Sequence, residues 1–152
     1  MKHLFIVNPV CGKGISHERC SEGIVKTMTE MGITDYEIHV TTAPGDGYEY
    51  SKKEVEKGEH IRVYACGGDG TLYEVVNACA CHENAEVAAF PLGSGNDFIR
   101  IFGDKKDLRN VADHVNGTVM DFDLIKCGDQ YAINQCSMGV DAEVCAKQAD
   151  FK

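Results

Sequence analysis

With 152 residues, 43% of them hydrophobic and 26% charged, the chain has the make-up of a soluble globular protein, one domain or one domain with part of another. A formal net charge of −9 argues against nucleic acid as a partner, which needs a clustered Lys/Arg face, and against electrostatic attachment to anionic lipid. The eight cysteines include no Cys-x2-Cys pair, and Cys66, Cys79 and Cys136 fall in apolar stretches, so they read as small hydrophobes of a reduced, cytoplasmic protein rather than as disulfides or a zinc site.

His3-Leu4-Phe5-Ile6-Val7 predicts a buried first strand, with no signal-type apolar region before it. It runs into the turn-rich Asn8-Pro9-Val10-Cys11-Gly12-Lys13-Gly14. Cys20, Ile24, Met28 and Met31 then mark a helix that Gly32 stops. Tyr36 to Thr41 alternates as a second strand, and Asp46 is a candidate N-cap for a polar, largely solvent-facing helix ending near Gly58. Ile61-Arg62-Val63-Tyr64-Ala65 is a third strand, and helical spacing of Leu72, Val75, Val76 and Cys79 carries a third helix to about Cys81. Val87 to Phe90 is a fourth strand, ending at Pro91, with helical patterns near Ile99 and from Leu108 to Val115.

Strand alternating with helix four times predicts an α/β fold, a doubly wound and mostly parallel sheet over residues 1–118. In such sheets ligands collect beyond the carboxyl ends of the strands, where loops 8–14, 67–71 and 93–97 all lie. From about Met120 the character changes: two alternating runs, Val119 to Lys126 and Tyr131 to Cys136, flank the turn Gly128-Asp129. Residues 119–152 therefore read as the incomplete start of a β-rich second domain, whose unpaired hairpin edges invite a homodimer through residues 119–138.

The chemistry concentrates at Gly67-Gly68-Asp69-Gly70-Thr71, a strand-to-helix junction. Glycines there allow positive φ and close approach of a ligand, and the helix N-terminus favours a phosphate. Asp69, set among donors meant for an anion, needs a cation between them, and Mg²⁺ bridging carboxylate, waters and phosphate oxygens meets that need. Gly93-Ser94-Gly95-Asn96-Asp97 is a second glycine turn, in which Asn96 and Asp97 either face the ligand or cap the helix that follows. Asn8-Pro9-x-x-Gly12 is either a further ligand loop or a plain strand exit, and Thr41 either offers its hydroxyl at a strand end or only closes the strand. Neither a P-loop nor a Gly-x-Gly-x-x-Gly dinucleotide fingerprint is present.

Together, Asn8-Pro9-x-x-Gly12, Gly67 to Thr71, Gly93 to Asp97 and Asn134-x-x-Ser137-x-Gly139-x-Asp141-Ala142 resemble the diacylglycerol kinase catalytic family, which includes bacterial lipid kinases and the sphingosine kinases. The resemblance implies a first domain like those of phosphofructokinase and NAD kinase, followed by a β-sandwich. It also implies ATP and Mg²⁺ as cofactors and a diacylglycerol-like lipid hydroxyl as acceptor, with peripheral membrane contact only to reach that acceptor. By position it places ATP contacts at Asn8, Pro9, Gly12, Thr41, Gly67, Gly68, Asp69, Gly70, Thr71, Gly93, Ser94 and Asn96. Asp69 and Asp97 become the catalytic acids and Asp69 the metal ligand. Tyr73 and Ser94 stand where the family usually has asparagine and threonine. Family members are about twice this length and carry their general base in the second half, so this chain alone is expected to be inactive or weakly active. The alternatives are a NAD kinase-like enzyme, which shares Gly-Gly-Asp-Gly, or a non-catalytic nucleotide-binding module.

Overall fold

The computed structural model describes residues 1–10, 16–103 and 107–148. Four parallel strands, β1 (Lys2–Val7), β2 (Tyr36–Val40), β3 (Ile61–Gly67) and β4 (Ala85–Pro91), form one sheet in the order β2-β1-β3-β4. β1 and β3 are central and apolar on both faces, as parallel strands covered by helices must be. Alternate side chains serve opposite layers. Phe5, Val7, Tyr64 and Cys66 pack with Cys20, Ile24 and Met28 of α1 (His17–Glu30) and Val111 of α4 (Val111–Asn116). Leu4, Ile6, Val63 and Ala65 pack with Val55 of α2 (Asp46–Val55) and with Leu72, Val75, Val76 and Cys79 of α3 (Asp69–Cys79). Burial pushes the Cys79 thiol up to about 12 and raises that of Cys66, so both act as small hydrophobes.

The chain steps from β1 outward to β2, then back across β1 to β3 and on to β4. Right-handed crossovers in opposite directions put α1 on one face and α2 and α3 on the other. The direction reverses between β1 and β3, and that switch point is where an α/β sheet opens its crevice.

Several expectations are corrected. Asp46 does not cap α2: the cap is Gly45 in the left-handed region (φ +87°), and the Asp46 carboxylate instead accepts the Thr42 N–H at 2.7 Å. Nor is α2 largely solvent-facing, since Gly47, Ser51, Glu54 and Val55 are buried. Its buried acid, Glu54, is paired with Lys2 at 2.7 Å and Lys57 at 2.6 Å, which is how a polar sequence sustains a buried face. The hairpin is shorter than expected, β5 (Ile125–Cys127) against β6 (Gln130–Ala132), and a helix not foreseen, α5 (Val140–Gln148), follows it. Cys136 is exposed and lies outside any strand. The β6 edge is not left open: Asn77 of α3 donates to the Tyr131 carbonyl at 2.9 Å and accepts its N–H at 2.8 Å.

Candidate functional site

Register alone gathers the loops. Val7 pairs with both Val40 and Cys66, and Gly67 with Pro91, so Asn8, Thr41, Gly68 and Leu92 leave the sheet along one edge. The loops meet on α3, where three side chains of the first two turns each hold one of them. Thr71, buried, accepts from Asn8 Nδ2 at 3.2 Å, while Asn8 Oδ1 accepts the Val10 N–H at 3.0 Å. Asp69 takes the loop after β4: Oδ2 accepts the Asn96 N–H at 2.8 Å and Oδ1 the Asp97 N–H at 2.7 Å. Glu74 takes the loop after β2, its Oε1 accepting the Gly45 N–H at 2.9 Å.

The second glycine turn is also closed from within. Asn96 is buried and left-handed (φ +56°), a conformation asparagine tolerates better than most residues. Its Oδ1 accepts the Gly93 N–H at 3.2 Å and its Nδ2 donates to the Gly93 carbonyl at 2.6 Å. The Gly67 carbonyl accepts from Leu92 at 2.8 Å and Gly93 at 3.0 Å, which fastens the two glycine turns back to back.

The expectation of positive φ at these glycines is corrected. None of Gly67, Gly68, Gly70, Gly93 and Gly95 has positive φ. A Cβ on Gly93 would stand 2.4 Å from the Gly68 Cα, and one on Gly67 would stand 2.1 Å from Thr71 Oγ1. Packing of one turn on the other requires glycine at 93, and the Thr71 side chain requires it at 67; Gly70 faces open space. The capping alternative also fails, since Asp97 makes no side-chain cap bond to the 3₁₀ turn Phe98–Phe102 and Asn96 bonds back to Gly93.

Asp69 and Asp97 are both exposed and converge over Gly95. A Cβ there would lie 2.6 Å from Asp69 Oδ2 and 4.0 Å from Asp97 Oδ1. The Asp97 carboxylate pairs with Arg100 at 3.0 Å. Each Asp69 oxygen accepts one N–H and keeps a further lone-pair direction. Mg²⁺ binds through one or two carboxylates and fills its shell with phosphate oxygens and water, so these residues fit a cation that comes with a phosphate ligand. Among the described residues no group of three or more His, Cys, Asp or Glu is placed to cage a metal. Beside this turn, from Phe98 and Ile99 past Leu72, Val76 and Phe122, runs an open, largely apolar cleft of about 490 Å³.

Residues 2–127 match the family model described as the diacylglycerol kinase catalytic domain. The chain belongs to that family. It is 34% identical over 132 residues to a diacylglycerol kinase of Bacillus subtilis, covering 85% of this chain and 43% of the relative. It is 32% identical over 141 residues to one of Staphylococcus carnosus, covering 91% of this chain and 45% of the relative. A crystal structure of a diacylglycerol kinase from Bacillus anthracis superposes with a TM-score of 0.70 at 31% identity, covering 86% of this chain and 45% of that one. The chain thus spans less than half the length of these relatives.

Within this family member, Asn8, Asp69, Thr71, Gly93, Asn96 and Asp97 form one connected cluster, and Gly67 and Gly68 form its floor. Pro9 is half-buried next to Asn8, Ser94 is exposed on the second turn, and Thr41 is fixed by its N–H to the Val7 carbonyl at 2.9 Å. Gly12 lies outside the described residues. Glu74 was not anticipated. The available signal is helical spacing, which puts residues 71 and 74 on one face of α3. None of the described helices is long and apolar enough to cross a membrane.

Proposed function

We propose that this chain is the nucleotide-binding part of a lipid kinase that transfers the γ-phosphate of ATP to the hydroxyl of a diacylglycerol-like lipid. The observation that carries the reading is the fastening of three carboxyl-end loops to the start of α3, with Asp69 and Asp97 converging over Gly95. Phosphoryl transfer asks chiefly for positioning and charge neutralisation, and a rigid, loop-braced junction suits both. The first turn of α3 leaves its leading N–H groups without intrahelical partners, donors that a phosphate would take. Asn8 and Thr71 keep the β1 loop beside that turn, and Asn96 keeps the Asp97 loop in shape. Asp69, with Asp97 beside it, would hold Mg²⁺, which would supply neutralisation of the phosphate charge. Membership of a lipid-kinase family favours this reading over a NAD kinase. Because the match covers less than half of the relatives, this 152-residue chain is expected to bind nucleotide with little or no lipid turnover.

Calorimetric titration with Mg-ATP, beside NAD and an Asp69→Ala variant, tests the reading. ATP binding that Asp69→Ala weakens supports it. A folded chain that takes NAD in preference, or binds ATP equally well without Asp69, overturns it.

A further inference from the structure

We infer that Glu74 is a positioning residue of this site, holding the loop between β2 and α2 so that Thr41 stands at the carboxyl edge beside α3; the inference rests on the nucleotide reading above. Glu74 is half-buried, and among the described residues it forms no ion pair with Lys, Arg or His, so it is not spent on a surface charge contact. Its Oε1 accepts the N–H of Gly45, the left-handed cap of α2, which has no side-chain cap of its own. Its Oε2 lies over Gly47. A Cβ on Gly47 would stand 2.7 Å from that oxygen, 3.1 Å from Ile6 Cγ2 and 3.6 Å from Thr41 Cγ2. Glu74, Gly47, Ile6 and Thr41 therefore form one packed knot directly under the loop.

Among the described residues, the loop's other ties run to β1 and within its own neighbourhood. Thr41 N–H bonds to Val7, and Thr42 bonds through its N–H and hydroxyl to Asp46 at 2.7 Å and 3.0 Å. Glu74 is the tie that joins it to α3, the helix that also holds Asn8 and the Asp97 loop. Loss of a charge-assisted hydrogen bond to a partly buried backbone donor leaves that donor unsatisfied, and the loop gains freedom it would have to give up again on binding.

The test compares wild type, Glu74→Ala, Glu74→Gln and Gly47→Ala by amide exchange at Gly45, by thermal melting and by Mg-ATP calorimetry. Glu74→Ala should speed exchange at Gly45 and weaken Mg-ATP binding roughly tenfold. Glu74→Gln keeps an acceptor oxygen and should restore both, a rescue that plain loss of stability would not give. Gly47→Ala, whose methyl displaces the carboxylate, should reproduce the alanine effect and add little when combined with it. Faster exchange at Gly45 with unchanged affinity overturns the positioning role, and so does unchanged exchange. Wild type that protects Gly45 yet binds no Mg-ATP overturns the nucleotide reading itself and leaves the strut as a feature of the fold.

Discussion

Asn8 Nδ2 donates to Thr71 Oγ1 across 3.2 Å, and this one bond joins the loop leaving β1 to the helix leaving β3. The two strands flank the point where the sheet reverses direction, so the bond spans the mouth of the crevice. Asn8→Ala removes it together with the support of Val10 and leaves the buried Thr71 hydroxyl short of a partner, which should cost about 1–2 kcal/mol in chemical denaturation. Asn8→Asp should behave differently. Thr71 can turn its hydroxyl to donate, so stability holds, while an added carboxylate beside the phosphates weakens Mg-ATP binding in the same calorimeter.

The two glycine turns give stability changes of opposite sign. Gly93→Ala drives a methyl into the backbone at Gly68, which has no flexible end to give way, and should destabilise by about 1–3 kcal/mol. Gly70→Ala points into open space within a helix and should stabilise by roughly 0.5–1 kcal/mol. Urea titrations of the two variants check both, and a common sign would contradict the packing described for Gly93.

At the opposite end of β1, buried His3 shares a 2.6 Å hydrogen bond with Tyr64. Burial lowers the His3 pKa, and Arg62 and the N-terminus lower it further against Asp35 and Glu86. The folded state therefore binds this proton less readily than the unfolded chain does. Stability from His3 is full above the ordinary histidine value of about 6.5 and falls as pH drops below it toward the lowered folded value. Melting temperature measured from pH 7.5 down to 5.5 should fall, and His3→Gln should flatten the slope over that range. The paired carboxylates Glu37, Glu54 and Glu86, all lowered, lose their contribution only at more acid pH.

Asn77→Ala should free the β5–β6 hairpin without unfolding the sheet. It removes both backbone contacts to Tyr131, a local loss of about 1–2 kcal/mol. Limited proteolysis near residues 125–132 should quicken while the global melting temperature moves little. A full loss of the cooperative transition would show that the hairpin is part of the main core.

Much of this molecule was legible in its sequence because the signals were local. Continuous apolar runs such as Leu4 to Val7 announced the buried strands, and the alternation of strand with helix announced a parallel sheet with loops at one edge. The motif residues themselves identified the family that the comparison with known proteins then showed. What side chains do across the fold was not legible. A polar stretch such as α2 looks solvent-facing until Lys2, fifty-two residues from Glu54, supplies the opposite charge. Asp69 reads as a ligand for a cation, but nothing near it in sequence shows that both its oxygens also accept backbone N–H groups from a turn twenty-seven and twenty-eight residues away. The glycines read as places for positive φ and for close approach of a ligand; that the register of β3 on β4 presses Gly93 against Gly68, so that a Cβ is forbidden there, needed the fold. Spacing along a chain fixes which face a residue takes, whereas the partner on that face is set by how strands and helices pack in three dimensions.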